Sequence, residues 1–284
     1  MSEPKVCVVT GGASGIGRAA AEQLARAGHR PVLVGRDADR AEATCSAIDA
    51  ATGHRPKFVR ADLSSQAAVR DLAASLLSDF PRIDVLINNA ARPMHQEGPT
   101  LTRDDVEEVW AVNHLAPFLL TSLLAKRLAA SEGRVLNVSA EGLAAHPFLR
   151  LDFDDLDSRE TYEPTTAYFR SKLAQCAFTV VFQERHPEVA TNIVRVTPVS
   201  VAEDSLPTDL DNLWRTAYRV RQRHAVTPEA MAEVYVWAAL DERAGALRGQ
   251  HLDHRRRAIN HPTAIRDDSL LDQLWSRSAI QTEL

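Results

Sequence analysis

The fold is decided by the stretch Val6-Cys-Val-Val-Thr10-Gly11-Gly-Ala-Ser-Gly15-Ile-Gly17 near the start of the chain. Its first half is rich in β-branched residues and predicts a buried parallel strand, and the alanine- and leucine-rich residues from Gly15 to Ala27 predict a helix. Three spaced glycines between a strand and a helix are typical of a loop that binds phosphate. Gly11 would allow a tight turn, Gly15 would let a pyrophosphate approach backbone N–H groups, and Gly17 would let the helix pack closely on the strand. The positive end of the helix would then face the anion.

Length and composition point to one globular domain. The chain has 284 residues, of which 45% are apolar, and this is enough to bury one large core. The formal net charge of −5 gives no general attraction to nucleic acid or to anionic membranes. The run Arg255-Arg-Arg257 is interpreted as a solvated end near the last strand. We therefore predict a single domain over residues 1–284, with neither a nucleic-acid nor a membrane partner.

The sequence offers no pattern for export, membrane anchoring or metal binding. Its first residues lack the basic and apolar regions of a signal peptide, and no apolar stretch reaches the ~20 residues that span a bilayer. Cys7, Cys45 and Cys176 are odd in number and far apart, which argues against a disulfide framework. His251 and His254 have no carboxylate or cysteine partner at metal-ligand spacing. A cytosolic protein without a metal site is predicted.

Strand and helix patterns alternate along the rest of the chain. Further strands are predicted at Pro31 to Gly35, Lys57 to Ala61, Ile83 to Ala91 with a polar ending, Gly133 to Val138, Ala190 to Thr197 and Gly249 to Asp253. Helical patterns lie between them, and a capping box at Leu101-Thr102-x-x-Asp105 opens one that runs to Ala130. This alternation predicts a doubly wound α/β fold, with a parallel sheet of about seven strands and helices on both faces.

Three motifs together resemble the short-chain dehydrogenase/reductase family. Glycine spacing alone also occurs in turns that bind nothing. Here the loop has the form Thr10-Gly-x-x-x-Gly-Ile-Gly, and it is joined by Asn88-Asn89-Ala90 and by Tyr168-x-x-x-Lys172 with Ser171. The segment Val112-Asn113-His114-Leu115 is similar to the retinol-dehydrogenase-like branch. The resemblance extends from Val6 to Trp275 and implies a Rossmann fold with a nicotinamide cofactor.

The resemblance assigns many residues to that cofactor. They are Gly11, Ser14, Gly15, Ile16 and Gly17 in the first loop, Arg36, Asp62 and Leu63 around the adenosine, Asn89, Ala90 and Ala91 after the fourth strand, and Tyr168, Lys172, Pro198, Val199 and Val201 toward the nicotinamide. Arg36 stands where the ribose is recognised, and an arginine can hold a 2′-phosphate bidentately. Gly35 leaves the place of a ribose-binding acid empty, so NADP(H) is predicted over NAD(H). The alternative is that Arg36 pairs with Asp37 or Asp39 at the surface.

A second set of residues is implied for catalysis. Tyr168 would exchange a proton with the substrate oxygen, and Lys172, one helical turn away, would stabilise the phenolate and hold the nicotinamide ribose. Pro117 lacks an N–H, so the helix should kink and leave the carbonyl of Asn113 free. Relatives use the asparagine at this position to hold a water that links the lysine to solvent. The implied reaction is NADP(H)-dependent reduction or oxidation of a hydrophobic carbonyl or alcohol.

Three positions near the nicotinamide end depart from the family's motifs. Ala91 replaces the glycine of Asn-Asn-Ala-Gly, Val199 replaces the glycine of Pro-Gly, and Ala140 stands where the second, catalytic serine is expected. Neighbouring side chains on a strand point to opposite faces, so Ser139 could take over only if the strand end shifts. Without a donor at this position we expect a slow reductase, because one such hydrogen bond contributes ~3–4 kcal/mol to transition-state stabilisation.

Several alternatives stay open at this point. Thr166, His146 or a group on the substrate could supply the missing hydrogen bond. The departures also fit an enzyme of specialised metabolism that catalyses a cyclisation, dehydration or isomerisation, with NADP structural or absent. A nucleotide-sensing or partner-binding protein is a third reading, since fold does not fix function. Tyr168 and Lys172 argue against it.

The resemblance also bears on the substrate and on assembly. In relatives the segment around residues 199–226 is a mobile lid over the substrate, so a lid and a hydrophobic small-molecule substrate are expected. Trp214 and Tyr218 are candidates for its apolar pocket, although apolar residues at helical spacing more often mark core packing. Relatives often pair through the helices that contain Asn113 and Tyr168, which makes a homo-oligomer a candidate assembly.

We expect Ala140→Ser to raise kcat/KM for NADPH-coupled carbonyl reduction by about 10²–10³-fold, because a serine hydroxyl there would donate to the substrate oxygen. Steady-state kinetics with a panel of apolar carbonyls measures the gain. An unchanged kcat/KM would show that another group already acts as the donor.

Overall fold

The computed structural model describes residues 3–93, 98–200 and 225–284, and it confirms the α/β fold with a largely parallel sheet. The sheet has eight strands in the order β3-β2-β1-β4-β5-β6-β7-β8. The strands are β1 (Val6–Thr10), β2 (Arg30–Gly35), β3 (Lys57–Arg60), β4 (Val85–Asn88), β5 (Arg134–Ala140), β6 (Ala190–Val196), β7 (His251–Leu252) and β8 (Ala258–Ile259). The order reverses between β1 and β4, which is where doubly wound sheets bind ligands.

Helices cover both faces of the sheet, as predicted. The described helices are α1 (Gly15–Arg26), α2 (Ala38–Thr52), α3 (Gln66–Asp79), α4 (Glu108–Trp110), α5 (Ala116–Ala130), α6 (Pro164–Arg185), α7 (Pro228–Leu240), α8 (Glu242–Gly245) and α9 (Asp268–Gln281). On one face Leu72, Leu120 and Phe178 share a core with β1 and β4 residues. On the other, Leu24 of α1 and Tyr235 of α7 pack against β1, β4 and β5.

The eighth strand adds a short antiparallel edge to the seven parallel strands that the sequence predicts. β7 pairs with β8 through His251 and Ile259 and through Leu252 and Ala258. The turn between them contains the exposed run Arg255–Arg257, and Arg257 reaches the buried carboxylate of Asp253 at 2.7 Å. This run therefore closes a hairpin at the last strand, close to the solvated end that we expected.

The predicted helix start at Leu101 is wrong. Leu101 and Glu107 instead form an antiparallel bridge, and Asp105 takes a left-handed conformation with φ 55°. The hydroxyl of Thr102 accepts from the N–H groups of Asp104 and Val106 and so closes a local turn. α4 begins only at Glu108, where the Glu107 carboxylate accepts from Trp110 N at 3.0 Å. Threonine and aspartate can stabilise a turn as well as a helix start, and here the turn is formed.

The two ends of the predicted lid meet just beyond the carboxyl end of β6. Val226 N donates to Pro198 O at 3.0 Å, and Ser200 N donates to Val226 O at 2.8 Å. Residues 201–224 lie outside the described residues, and with them the predicted site residue Val201 and the candidates Trp214 and Tyr218. Among the described helices, none is long and apolar enough to cross a membrane. The cytosolic location remains a prediction.

Candidate active site

The glycine loop is fixed to the end of β4 by side-chain hydrogen bonds. The Thr10 hydroxyl accepts from Ala90 N at 3.0 Å, and the Asn89 side-chain amide donates to Thr10 O at 2.9 Å. Gly11 has φ +66°, a conformation that few residues other than glycine adopt without strain. Thr10 was not among our predicted site residues, although it leads the glycine motif. Its contacts and those of Asn89 connect the loop to the end of β4 and hold it in shape.

Gly17 allows α1 to approach this loop. A Cβ atom at Gly17 would lie 2.4 Å from Gly11 O and 2.6 Å from the Asn89 side-chain nitrogen, well inside contact distance. The predicted close contact of Gly17 is therefore made with the loop and with Asn89. Because the helix starts at Gly15, its first-turn N–H groups open toward the end of the sheet.

The start of α1 has the properties of an anion site. Its N-cap residue, Ser14, makes no side-chain cap hydrogen bond, whereas Asp37, Ser65 and Glu163 cap α2, α3 and α6. A Cβ atom at Gly15 would meet nothing within 4 Å. Free N–H groups, the helix dipole and open space together fit a pyrophosphate.

A cleft of 510 Å³ extends from this helix end past β2 and β4. Of the predicted cofactor residues it is lined by Gly11, Ser14, Arg36, Asp62, Leu63, Asn89, Ala90 and Ala91. Ile16 does not line it and packs against the α1 and α7 core instead. Burial opposes ionisation of Asp62, yet hydrogen bonds from Ser64 and the charge of Arg36 hold its pKa below the usual value. The cleft has the size and position for an adenosine and its phosphates.

The guanidinium of Arg36 is exposed at the rim of the cleft. It makes no hydrogen bond or ion pair with any residue in the described part of the chain. Asp37, one of the two alternative partners, pairs with Arg40 at 3.5 Å and caps α2 through Arg40 N. The surface pairs that would have occupied Arg36 are thus not formed, and its charge is available to a ligand.

Lys172 is buried beneath the end of β5. Its side chain is 3% exposed, Nζ donates to Val138 O at 3.3 Å, and Nζ lies 5.7 Å from the centre of the Tyr168 ring. Burial lowers the pKa of Lys172 from 10.5 to about 8, and the nearby Cys176 offsets this only slightly. The ammonium remains the main form at pH 7. Tyr168 and Lys172 are therefore brought together on one face of α6, as their spacing predicts.

Asn113 is buried, but its carbonyl is not free. The residues Ala111–Leu115 form a π-helical turn before Pro117, and Gln175 of α6 donates its amide N–H to Asn113 O at 2.5 Å. The Asn113 side chain donates to Ser171 Oγ at 3.1 Å and accepts from Arg92 N at 2.6 Å. The expected orphan carbonyl is thus occupied by a protein donor, because a glutamine on the neighbouring helix lies within reach.

The end of β5 is regular at Ala140, the position where the family's catalytic serine is missing. β5 continues without a shift to Ala140, which pairs with Val196 of β6. Ser139 is 1% exposed and its hydroxyl accepts from the Cys176 thiol at 3.5 Å, under α6. The shift that Ser139 would need in order to act is therefore not present. Of the other candidate donors, His146 packs against Phe169 in a tilted arrangement, with ring centres 4.5 Å apart.

A buried amide network joins the four elements that carry the site. Asn88 Nδ2 donates to Asn137 Oδ1 at 2.9 Å and to Thr121 at 3.0 Å, and Asn137 Nδ2 donates to Thr179 at 3.0 Å. These bonds connect β4, β5, α5 and α6. Our sequence reasoning missed this network and Gln175, although a polar residue inside an apolar strand or helix face is a signal for such a bond.

Comparison with known proteins identifies the family. The sequence model of the short chain dehydrogenase family matches residues 5–148. The chain belongs to the short-chain dehydrogenase/reductase family, whose members are oxidoreductases. It is 34% identical to a Streptomyces sp. (strain C5) protein to which daunorubicin C-13 ketoreductase activity is ascribed, over 97% of this chain and 91% of that protein. It is 32% identical to human retinol dehydrogenase 13, over 97% and 83% of the two chains. Mouse polyprenol dehydrogenase is 34% identical over 96% and 82%.

Solved structures agree with the fold. A short chain dehydrogenase/reductase family protein is 27% identical, with a TM-score of 0.64 over 88% of this chain and 95% of that one. A Shigella flexneri 2a structure, described as a short-chain dehydrogenase complexed with NADP, is 23% identical with a TM-score of 0.66 over 88% and 97%. Together with the relatives, these likenesses confirm the Rossmann fold and the retinol-dehydrogenase-like branch.

We expect Lys172→Met to increase the free energy of unfolding at pH 7 by up to about 3 kcal/mol, because the variant no longer buries an ammonium. The pKa of Lys172 is about 8 in the folded chain and 10.5 when unfolded, so the penalty is full below pH 8. It falls as the pH rises from 8 to 10.5, because the unfolded state then binds more protons.

Urea unfolding of wild type and variant at pH 7 and pH 9.5 measures this difference, which should shrink at the higher pH. Lys126→Met, at an exposed position of α5, is the matched control and should change little at either pH. A destabilised Lys172→Met at pH 7 would contradict the assignment of a costly buried charge.

Proposed function

We propose that the protein is an NADP(H)-dependent oxidoreductase that reduces a hydrophobic ketone or aldehyde, or oxidises the corresponding alcohol. The observation that carries the proposal is the pairing of Tyr168 with the buried Lys172 on one helix. The pair lies at the carboxyl end of the sheet, where the start of α1 after the first loop could bind an anion. The relatives named for ketoreductase, retinol dehydrogenase and polyprenol dehydrogenase activity support an apolar alcohol or carbonyl as the substrate.

The first loop and the cleft would hold the dinucleotide. N–H groups at the start of α1 would bind the pyrophosphate, Asp62 and Leu63 would contact the adenine, and Arg36 would pair with a 2′-phosphate. Arg36 favours NADP(H) because its guanidinium has no partner among the described residues and because Gly35 offers no acid to a ribose hydroxyl. When bound, the nicotinamide supplies or accepts the hydride.

Tyr168 would hold and deliver the proton. In the reductive direction its phenol O–H donates to the substrate oxygen as the carbonyl carbon gains hydride, and the resulting phenolate is stabilised by the Lys172 ammonium. Lys172 stays charged near neutral pH and is kept in place by Val138 O. A proton from solvent then restores the phenol. In the oxidative direction the phenolate takes the alcohol proton.

Asn113 would act here by positioning the catalytic helix through its side chain. Its side chain holds Ser171 of α6 and the backbone of Arg92 beside the cleft, while Gln175 occupies its carbonyl. These bonds fix the turn of α6 between Tyr168 and Lys172 against the π-helical turn. The orientation of the two catalytic groups would depend on them.

Tyr168→Phe should lower kcat/KM for carbonyl reduction by about 10²–10⁴-fold, because it removes the proton donor and leaves the ring in place. NADPH binding, followed by fluorescence titration, should change little. Tyr235→Phe is the matched control, since the buried Tyr235 hydroxyl has no hydrogen-bond partner in the part of the chain that the structure describes. Full turnover by Tyr168→Phe, or product formed without oxidation of NADPH, would contradict the proposal; the second result would favour a non-redox reaction.

Arg36→Gln should raise the KM for NADPH at least about tenfold and leave the KM for NADH nearly unchanged, since only the 2′-phosphate loses its partner. Initial-rate kinetics with both cofactors gives the two values. Arg266→Gln, another exposed arginine, is the control. An equal effect of Arg36→Gln on both cofactors would remove Arg36 from the recognition of the phosphate.

A further inference from the structure

A second cavity, of 220 Å³, lies on the α6 side of the sheet. It is enclosed by the loop that follows β5, by Leu173 of α6, by the ends of β6 and β7, and by residues 260–264 after β8. Among the described residues, none lines both this cavity and the dinucleotide cleft. The cavity is therefore distinct from the cleft that would hold the adenosine and phosphates, and its lining residues belong to four distant parts of the sequence.

His251 on β7 presents an unpaired imidazole to this cavity. The residue is 4% exposed, and no described residue meets hydrogen-bond geometry with either ring nitrogen. Burial lowers the pKa of His251 to about 4, together with the charges of His261 and Arg195, and a weaker polar contact with the Asn260 backbone raises it in part. The ring is thus neutral at pH 7, with one N–H available as a donor. Buried donors are normally paired, so this one calls for a ligand atom.

Arg195 on β6 brings a positive charge to the same wall. It lies opposite Ser139 in the sheet register, on the α6 side, and it is half-buried. Its guanidinium makes no hydrogen bond or ion pair with any described residue. Two other half-buried arginines near the active site have partners: Arg92 pairs with Glu108 at 2.8 Å, and Arg170 donates to the Ser158 hydroxyl at 3.0 Å. Arg195 thus places a positive charge at an apolar wall, and the described part of the chain supplies no counter-ion for it.

The remaining wall of the cavity determines what kind of anion would fit. It is largely apolar, with Leu143, Leu149 and Leu173 among the lining residues, and none of the described residues that line it is an aspartate or glutamate. His261 stacks on His251 and uses one ring nitrogen to bind Gly249 O at 2.7 Å. A carboxylate on an apolar skeleton suits such a wall, because guanidinium and imidazole N–H groups bind the oxygens while the leucines contact the carbon chain.

The position of Ala140 connects this cavity to the reaction. Ala140 lines the cavity, and the resemblance to the family puts the catalytic serine, which would contact the substrate oxygen, at this position. We propose that the cavity is a substrate subsite in which Arg195 and His251 bind a carboxylate of the substrate, so that the preferred substrates are apolar oxo acids or hydroxy acids. This inference rests on the proposed function for calling the ligand a substrate, whereas binding of the carboxylate does not depend on turnover.

The substrate test uses a homologous series of phenyl oxo acids, with the chain between ketone and carboxylate varied, and their methyl esters. Each pair has the same ketone and differs only in the charge. Arg195→Gln should lower kcat/KM for the best acid at least tenfold and change that of its ester less than twofold. Arg255→Gln, an exposed arginine of the β7–β8 turn, should leave both unchanged. Equal losses for acid and ester, or no preference of the wild type for any acid, would overturn the inference.

A binding test separates this inference from the proposed function. Isothermal titration of the intact, NADPH-loaded chain with 4-phenylbutyrate and with its neutral amide should show at least tenfold tighter binding of the acid. That difference should be lost in Arg195→Gln and in His251→Phe, which keeps an aromatic ring against His261. Failure of the acid to bind more tightly, or an undiminished preference in Arg195→Gln, would overturn the carboxylate site.

Two combined outcomes are distinguishable. If 4-phenylbutyrate binds through Arg195 but the wild type reduces neither oxo acids nor esters, the carboxylate site stands and the proposed oxidoreductase function fails. If 4-phenylbutyrate alters turnover of a neutral ketone without competing with it, the ligand is an effector, and the assignment of the cavity to the substrate is overturned.

Discussion

The approach of α1 to the first loop is the constraint on which the rest of the site depends. Any side chain at Gly17 would overlap Gly11 O and the Asn89 amide, so the helix can reach this depth only with glycine there. The depth matters because it brings the first-turn N–H groups to the end of β1, where the strand order reverses. Asn89 and Thr10 hold the loop from the β4 side. One missing side chain and two hydrogen bonds thus set where an anion can bind.

The helix α6 is positioned by a different kind of interaction. Its inner face carries Lys172, Gln175 and Thr179, which bond to Val138 O, Asn113 O and Asn137. Each bond satisfies a group that would be costly to bury alone. Apolar packing could let a helix slide by small amounts, whereas a row of directional bonds to two separate elements, β5 and the π-helical turn, fixes its height and rotation. The catalytic pair of a dehydrogenase needs this degree of definition, since proton transfer requires a short and well-aligned contact.

Local sequence patterns predicted the parts of the fold that local physics controls. β-branched runs, spaced glycines and the i, i+4 spacing of Tyr168 and Lys172 gave the strands, the loop and the shared helix face. The helix start at Leu101 failed because Thr102 and Asp105 suit a turn equally well, and the bridge between Leu101 and Glu107 decides between the two. The prediction of a free carbonyl at Asn113 was wrong because the hydrogen-bond donor to this carbonyl, Gln175, is 62 residues away in sequence.

Other features could not be read from the sequence at all. Arg195 and His251 have unremarkable neighbours in the chain, and only the alignment of β6 with β7 puts them on one wall. Within the described residues neither side chain has a partner in hydrogen-bond geometry, and such a lack is visible only in three dimensions. The charge of Arg36 predicted a role in phosphate recognition. Only the structure shows that Asp37, a possible partner of Arg36, pairs with Arg40 instead.

The hydrogen bonds between Pro198, Ser200 and Val226 have an evolutionary consequence. They bring Ser200 and Val226, 26 residues apart in sequence, together beside the carboxyl end of β6. A chain segment whose two ends are held together can be lengthened at only a slowly growing entropic cost, and β6 and α7 stay where they are. Selection can therefore change the sequence and length between these two points while β6 and α7 are inherited unchanged.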